Sequence, residues 1–188
     1  MLTGFYANPL FWIDLYLVGY IIAIVVISSQ DIYIKVENKI PKPIIRIFIL
    51  LTFLVPPLVL PFTKGPKITI PTPVVLTIGI LLLVINFIIK IMAQRQIGVA
   101  PALKGKGKLI TAGIYGIVRH PLYLSNGLLA IGMAILLKSL YALLFSIPYF
   151  LSYLLIIYFE ERNLLEKYGE EYKKYKKRIH WRLIPMVI

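Results

Sequence analysis

The chain has no cysteine, only two histidines (His120 and His180), and eight acidic residues against twenty-one basic ones. The missing cysteines exclude disulfides, thiolate-bound metals and thiol nucleophiles. Two histidines far apart in sequence do not make a metal centre, and no metal site is assigned. With few carboxylates and no Ser-His-Asp constellation, the chain is poorly equipped for hydrolysis. The chemistry that remains open is the kind that depends on positioning more than on acids and bases.

What the chain has in abundance is apolar sequence. Its hydrophobic fraction is 59% and its mean hydropathy is +0.83, above the range of soluble domains. Hydropathy places membrane spans at 10–28, 44–62, 73–92, 121–137 and 140–159, each near the length a bilayer requires. The reading is an all-α integral membrane protein with about five transmembrane helices and a C-terminal amphipathic interfacial helix. A single membrane domain, 1–188, is expected, with a three-helix scaffold over 1–92 and a functional core over 93–188. No basic region precedes the first span, which reads as a retained anchor and not as a signal peptide.

The net charge of +13 is distributed by side. Five spans put the chain ends on opposite faces, with eighteen Lys and Arg on one side. Only Lys64, Lys67 and Lys138 fall on the other. The positive-inside rule then sets the N-terminus outside and the C-terminus in the cytoplasm, in a multi-pass cell-membrane topology. The same charge predicts attraction to anionic lipid headgroups and makes a nucleic-acid partner unnecessary.

The connections carry their own expectations. Residues 29–43 read as a basic loop, because Pro41 and Pro43 delay the next helix. Pro56 and Pro57 should kink or end the second span. Lys90, near the inner end of the third, is expected to snorkel to the interface. The loop 93–120 holds Lys-Gly-Lys-Gly-Lys, Lys104 to Lys108, which matches no phosphate-loop pattern and reads as a basic juxtamembrane linker. Ser125, Asn126 and Gly127 allow close approach in the fourth span. Pro148 should bend the fifth and open a cavity inside the hairpin. In the tail, Leu165, Tyr168, Tyr172, Tyr175 and Ile179 form one apolar stripe on a helix running on from Glu160, suited to lying on the cytoplasmic lipid surface.

Two clusters stand out. Gly113 to Tyr123 gathers Arg119, His120, Tyr115 and Tyr123 at the mouth of the fourth span, and Pro121 suits the first turn of its helix. Glu160-Glu161 closes the fifth. The short Lys138-Ser139 turn makes spans four and five an antiparallel hairpin, so both clusters reach the same membrane face. Each alone has a plain reading, as an interfacial cation or as charge at a helix start. Their juxtaposition points to a site.

The pattern Gly-Ile-Tyr-x-x-x-Arg-His-Pro-x-Tyr, then Glu-Glu-x-x-Leu and Tyr-Gly-Glu-Glu-Tyr-x-x-Tyr, resembles the isoprenylcysteine carboxyl methyltransferase family over roughly 109–185. These membrane enzymes use S-adenosyl-L-methionine and are related to phospholipid methyltransferases; the Ile-, Lys- and Tyr-rich composition fits a prokaryotic member. The resemblance implies a methyltransferase acting on a lipophilic acceptor, by O-methylation of a carboxylate or N-methylation of a lipid amine. It implies a cofactor pocket lined by Lys108, Leu109, Ile110, Tyr115, His120, Pro121, Leu122, Tyr123 and Glu160. It also implies catalytic roles for Arg119, as a fork on the cofactor carboxylate, and for Glu160, at the adenosyl group. The chain departs from the family where eukaryotic members carry a substrate-binding arginine, here Ile156, and a cofactor-side glutamine, here Ala100, with Gln94 and Gln96 nearby. The alternatives are an NADPH-dependent sterol-reductase-like enzyme, which shares an Arg-His-x-x-Tyr segment, and a non-enzymatic membrane-surface scaffold.

Overall fold

A computed structural model describes residues 4–97 and 109–187. Among these residues the chain is helical and has no strand. Four helices are long and apolar enough to cross a membrane, Pro9–Ser28, Lys42–Phe62, Thr72–Gln96 and Leu140–Tyr168, and a shorter apolar helix is Pro121–Leu136. This fits a multi-pass membrane protein and matches the expected spans closely.

The first helix, α1 (Pro9–Ser28), starts where the Asn8 side chain accepts the Leu10 N–H and Pro9 fills the first turn. It is apolar on all sides, as a helix solvated by lipid should be. Residues 29–43 correct the expectation of a loop. A second helix, α2 (Gln30–Lys39), forms there and stops before Pro41, and α3 (Lys42–Ile49) follows.

The second span does not end at its prolines. It passes through one π-helical turn, Leu50–Leu54, then α4 (Val55–Val59) and a 3-10 turn, Leu60–Phe62. Pro57 lacks the N–H that would close an α-helical bond to the Phe53 carbonyl, and the Tyr149 hydroxyl donates to that oxygen instead at 2.5 Å. The freed carbonyl thus finds a partner inside the protein, and the span continues. At the same level α1 approaches so closely that a Cβ on Gly19 would lie 2.1 Å from the Thr52 side chain.

The outer loop before the third span is tied to the hairpin turn: Ile68 N–H donates to the Lys138 carbonyl and Leu140 N–H to that of Pro66. Helix α5 (Thr72–Ile97) runs past its expected end at 92 and carries Gln94 and Gln96 into helical geometry. It lies antiparallel along α6 (Pro121–Leu136). With sixteen residues α6 is about 24 Å long, short for a bilayer core of about 30 Å. Its buried face is built from Ser125, Gly127, Ala130, Gly132 and Ala134, small residues that admit neighbouring helices.

Helix α7 (Leu140–Tyr168) is unbroken through Pro148, which faces outward. The interior at that level is filled by Phe145, Tyr149 and Tyr153 where the sequence suggested a cavity. Tyr16 joins this aromatic core from α1, and its hydroxyl meets the Ser152 hydroxyl. Gly169, at φ 51°, ends α7 and separates it from α8 (Glu170–Arg178), so the tail is two helices where one was expected. The stripe assigned to lipid faces protein: Tyr172, Tyr175 and Ile179 are buried, with Leu109, Leu164, Leu165 and Tyr168 packed against them. The lysine-rich face of α8 remains outside.

Candidate functional site

The site forms where α6 begins and α7 nears its end, with the Gly113–Gly116 3-10 turn on one side and α8 on the other. The segment after α8 locks it from below. Arg119 N–H donates to the Trp181 carbonyl and His120 N–H to the Arg182 carbonyl, both at 2.9 Å. This pairing brings 119–120 and 181–182 together although they lie some sixty residues apart in sequence.

Arg119 is buried, and each nitrogen of its guanidinium has a partner. Nε donates to Glu161 Oε1 at 2.8 Å, Nη2 lies 2.6 Å from the same oxygen, and Nη1 donates to the carbonyls of Ile179 and His180. The expected fork on a cofactor carboxylate does not fit this geometry. The arginine is occupied in clasping the C-terminal segment to α7. Its partner is Glu161, the second glutamate of the pair, only 4% exposed and also within 3.4 Å of His120, Lys176 and Arg182. A carboxylate so surrounded is an assembly point and has little left for a ligand.

Glu160 is different. Its Oε2 accepts from the Tyr123 hydroxyl at 2.9 Å and lies 3.5 Å from His120 Nδ1, while Oε1 has no partner among the described residues. The side chain is 14% exposed. His120 therefore bridges the two glutamates, Nδ1 toward Glu160 and Nε2 toward Glu161. Burial alone would pull the imidazole pKa down, but the two carboxylates more than offset it and hold it above its ordinary value. His120 stacks on Tyr123, which stacks on Tyr153 with ring centres 4.7 Å apart.

Three buried polar atoms in this region have no hydrogen-bond partner among the described residues: the hydroxyls of Tyr115 and Tyr172, both of which feel the charge of the glutamate pair, and Oε1 of Gln96, whose side chain lies against Gly113. Burial pushes the Tyr115 phenol up, and the Glu160 charge pushes it further. The Tyr172 phenol is raised by burial and then by Glu161. The Tyr175 hydroxyl, pushed up to about 12 chiefly by burial, donates to the Tyr115 carbonyl at 2.8 Å and ties α8 to the turn. Gly113 sits at φ 60°, which favours glycine, and a Cβ there would lie 1.8 Å from Gln96 Nε2, so any side chain would displace the Gln96 amide. Unpartnered buried polar atoms cost roughly 1–3 kcal/mol each, and the Tyr115 and Tyr172 hydroxyls and Gln96 Oε1 leave this region with polar capacity that the described residues do not use.

Of the residues expected from sequence, Ile110 and Leu122 pack on Tyr115, Leu109 packs on α8, Pro121 is buried at the first turn of α6, and His120, Tyr123 and Glu160 make the polar centre. Lys108 and the rest of the Lys-Gly-Lys-Gly-Lys segment, with Ala100, lie outside the described residues. Sequence reasoning passed over Glu161 as the partner of Arg119, and Tyr172 and Tyr175 as protein-facing. The three- and four-residue spacing of those tyrosines was visible, but spacing alone does not say whether lipid or protein covers the stripe. Among the described residues no cluster could hold a metal ion.

A helical membrane protein with a paired-glutamate site at the mouth of a hairpin is the class these features define. Within it, residues 74–171, just over half the chain, match the model of the phospholipid methyltransferase family, and the chain belongs to that family. The chain is also similar to the Delta(14)-sterol reductase of Mus musculus, 30% identical over 97 residues. That alignment covers 46% of this chain and 21% of the reductase.

Proposed function

We propose that this protein is an S-adenosylmethionine-dependent methyltransferase of the isoprenylcysteine carboxyl methyltransferase type, acting on a lipophilic acceptor from the cytoplasmic side of the membrane. The carrying observation is the half-free Glu160 carboxylate, with the unpartnered phenols of Tyr115 and Tyr172 within reach of its charge and unpartnered Gln96 Oε1 beside the Gly113 turn that holds Tyr115. This donor set fits the cofactor. Glu160 Oε1 can accept from its ammonium group or ribose hydroxyls, the phenols and the amide oxygen can meet its remaining polar atoms, and the ring of Tyr115 suits an adenine. When bound, S-adenosylmethionine supplies a methyl group on a sulfonium, transferred as an acceptor lone pair forms the new bond and the S–CH3 electron pair returns to sulfur. The chain's own part is to align and to exclude water. His120 and Tyr123 hold Glu160 in place; Arg119 and Glu161 fix the C-terminal segment that backs them.

Calorimetric titration of the detergent-solubilised protein with S-adenosylhomocysteine tests this reading. Saturable binding is expected; folded protein that takes up no heat above background overturns it. Including NADPH as a competitor separates the reductase alternative, which rests on similarity to about a fifth of that relative. Ile156, where eukaryotic members of the methyltransferase family carry an arginine, is buried in the aromatic core and offers no charge to a substrate. Whatever recognises the acceptor lies elsewhere.

A further inference from the structure

Lys90 does not snorkel. Its ammonium turns inward across the α5–α6 interface and donates to Asn126 Oδ1 at 2.9 Å. From there a chain of donors runs one way: Asn126 Nδ2 to the Tyr153 hydroxyl at 3.2 Å, Tyr153 to the Tyr149 hydroxyl at 2.7 Å, and Tyr149 to the Phe53 carbonyl. Its direction is fixed at both ends, by an ammonium that can only donate and a carbonyl that can only accept. The chain satisfies Asn126 Oδ1 and both tyrosines, but uses only one of the three N–H groups of Lys90. No carboxylate lies within ion-pair distance of this half-buried cation among the described residues, and the sequence holds no Asp or Glu between 98 and 108.

A second observation falls on the same face. Asn86 lies one helical turn from Lys90 on α5, is nine-tenths buried, and its Oδ1 has no hydrogen-bond partner among the described residues. The antiparallel register that sets Gly79 against Leu136 and Lys90 against Asn126 puts Asn86 level with Leu129 of α6, inside the same interface. A cation without a counter-charge and an amide oxygen without a donor, at membrane depth, are each costly unless something pairs with them. The Tyr153 ring, held by Asn126, stacks on Tyr123, whose hydroxyl holds Glu160, so this interface shares a wall with the site above.

We propose that Lys90, Asn126 and Asn86 form the acceptor subsite, and that it takes a lipid bearing an anionic group, carboxylate or phosphate, with a hydroxyl or amide N–H beside it. Lys90 pairs with the anion, Asn126 aims Lys90, and Asn86 accepts from the neighbouring donor. This rests on the methyltransferase reading for the word acceptor; the anion preference stands on the geometry alone. A cationic amine is disfavoured next to Lys90.

The test uses the full chain in a non-ionic detergent, with equilibrium dialysis of radiolabelled lysophosphatidate competed by oleate, oleyl alcohol, oleylamine or inorganic phosphate. Lysophosphatidate and oleate should bind at least about tenfold more tightly than oleyl alcohol, and oleylamine should not compete. Failure of inorganic phosphate to compete assigns the site to a lipid; competition as strong as that of lysophosphatidate overturns the lipid part of the proposal. Lys90→Met should bring the preference over oleyl alcohol to within about twofold, and Lys90→Arg should preserve it. Asn86→Leu should weaken lysophosphatidate, which carries a hydroxyl beside its phosphate, and leave oleate unchanged. Retention of the anion preference in Lys90→Met, or equal binding of oleate and oleylamine by the wild type, overturns the proposal. If Lys90→Met does not fold, Lys90→Arg and Asn86→Leu still decide it. S-adenosylhomocysteine titration run in parallel keeps the two readings apart: no cofactor binding with an intact anion preference removes the methyltransferase reading and leaves the anion site.

Discussion

At the scale of single residues, two adjacent glutamates have opposite surroundings and should fail in opposite ways. Glu161 is buried among Arg119, His120, Lys176 and Arg182. Removing its charge strands a buried guanidinium, a change that costs roughly 3–5 kcal/mol where such pairs have been broken. Glu161→Gln should therefore lower the thermal unfolding midpoint clearly in detergent, whatever its effect on ligands. Glu160 is held by one phenol and one imidazole and keeps an oxygen free. Glu160→Gln should lower the midpoint much less than Glu161→Gln and weaken S-adenosylhomocysteine by about 10- to 100-fold, the loss of a charged hydrogen bond. Equal destabilisation by the two variants would show that Glu160 is structural too. His120 adds a pH dependence. Its pKa in the folded protein lies above the ordinary 6.5, because Glu160 and Glu161 outweigh its burial, with Arg119 and Tyr123 the other groups beside it. A raised folded value contributes stability that is complete below the unfolded pKa and is lost as pH rises through the folded one. The unfolding midpoint should thus fall as pH increases above about 6.5, and His120→Asn should remove that slope. A midpoint that rises with pH in this window would contradict the double contact.

At the scale of elements, what was legible in the sequence was whatever depends on length, hydropathy and short-range spacing. The five apolar runs are the five apolar helices, and Lys138-Ser139 is the hairpin turn, because lipid leaves few ways to satisfy a backbone. The meeting of His120 with Glu160 followed from that hairpin alone. Illegible were the features decided by a distant partner. The second span runs through Pro56 and Pro57 as its expected 44–62 range required, but the π-helical turn before them, and Tyr149, over ninety residues away, taking the orphaned carbonyl, were not legible. Lys90 turns inward because Asn126 waits across the interface. The stripe of α8 faces protein because Leu109, Leu164, Leu165 and Tyr168 cover it. Glu161, and not a ligand, receives Arg119, and adjacent glutamates cannot be told apart by spacing. The turn at Gly113 gives a prediction at this scale. Gly113→Ala forces a side chain into φ 60° and into Gln96, so the Gln96 amide must swing away or the turn must shift. The strain alone is on the order of 1–2 kcal/mol, and S-adenosylhomocysteine binding should fall while the far-UV helical signal is kept. Unchanged affinity would place Tyr115 and Gln96 outside the cofactor site.

At the scale of the whole molecule, the proposed orientation joins the charge distribution to the chemistry. By the sequence's order of spans, eighteen of the twenty-one cations are assigned to one side of a five-helix arrangement, the side expected to hold Glu160, His120 and the lysine-rich face of α8. If that side is cytoplasmic, as the positive-inside rule requires, the site faces the compartment that supplies S-adenosylmethionine, and the anion subsite at Lys90 lies just inside the same leaflet. The absence of cysteine makes this directly testable, because any introduced thiol is unique in the chain. Lys64→Cys, in the outer loop, should react with a membrane-impermeant maleimide added to intact cells. Lys174→Cys, on the exposed face of α8, should react only after the membrane is permeabilised. Both positions are exposed in the structure, so neither substitution should disturb folding. The reverse labelling pattern would put Glu160 outside the cell, away from any supply of the cofactor, and the proposed reaction would fall with the topology.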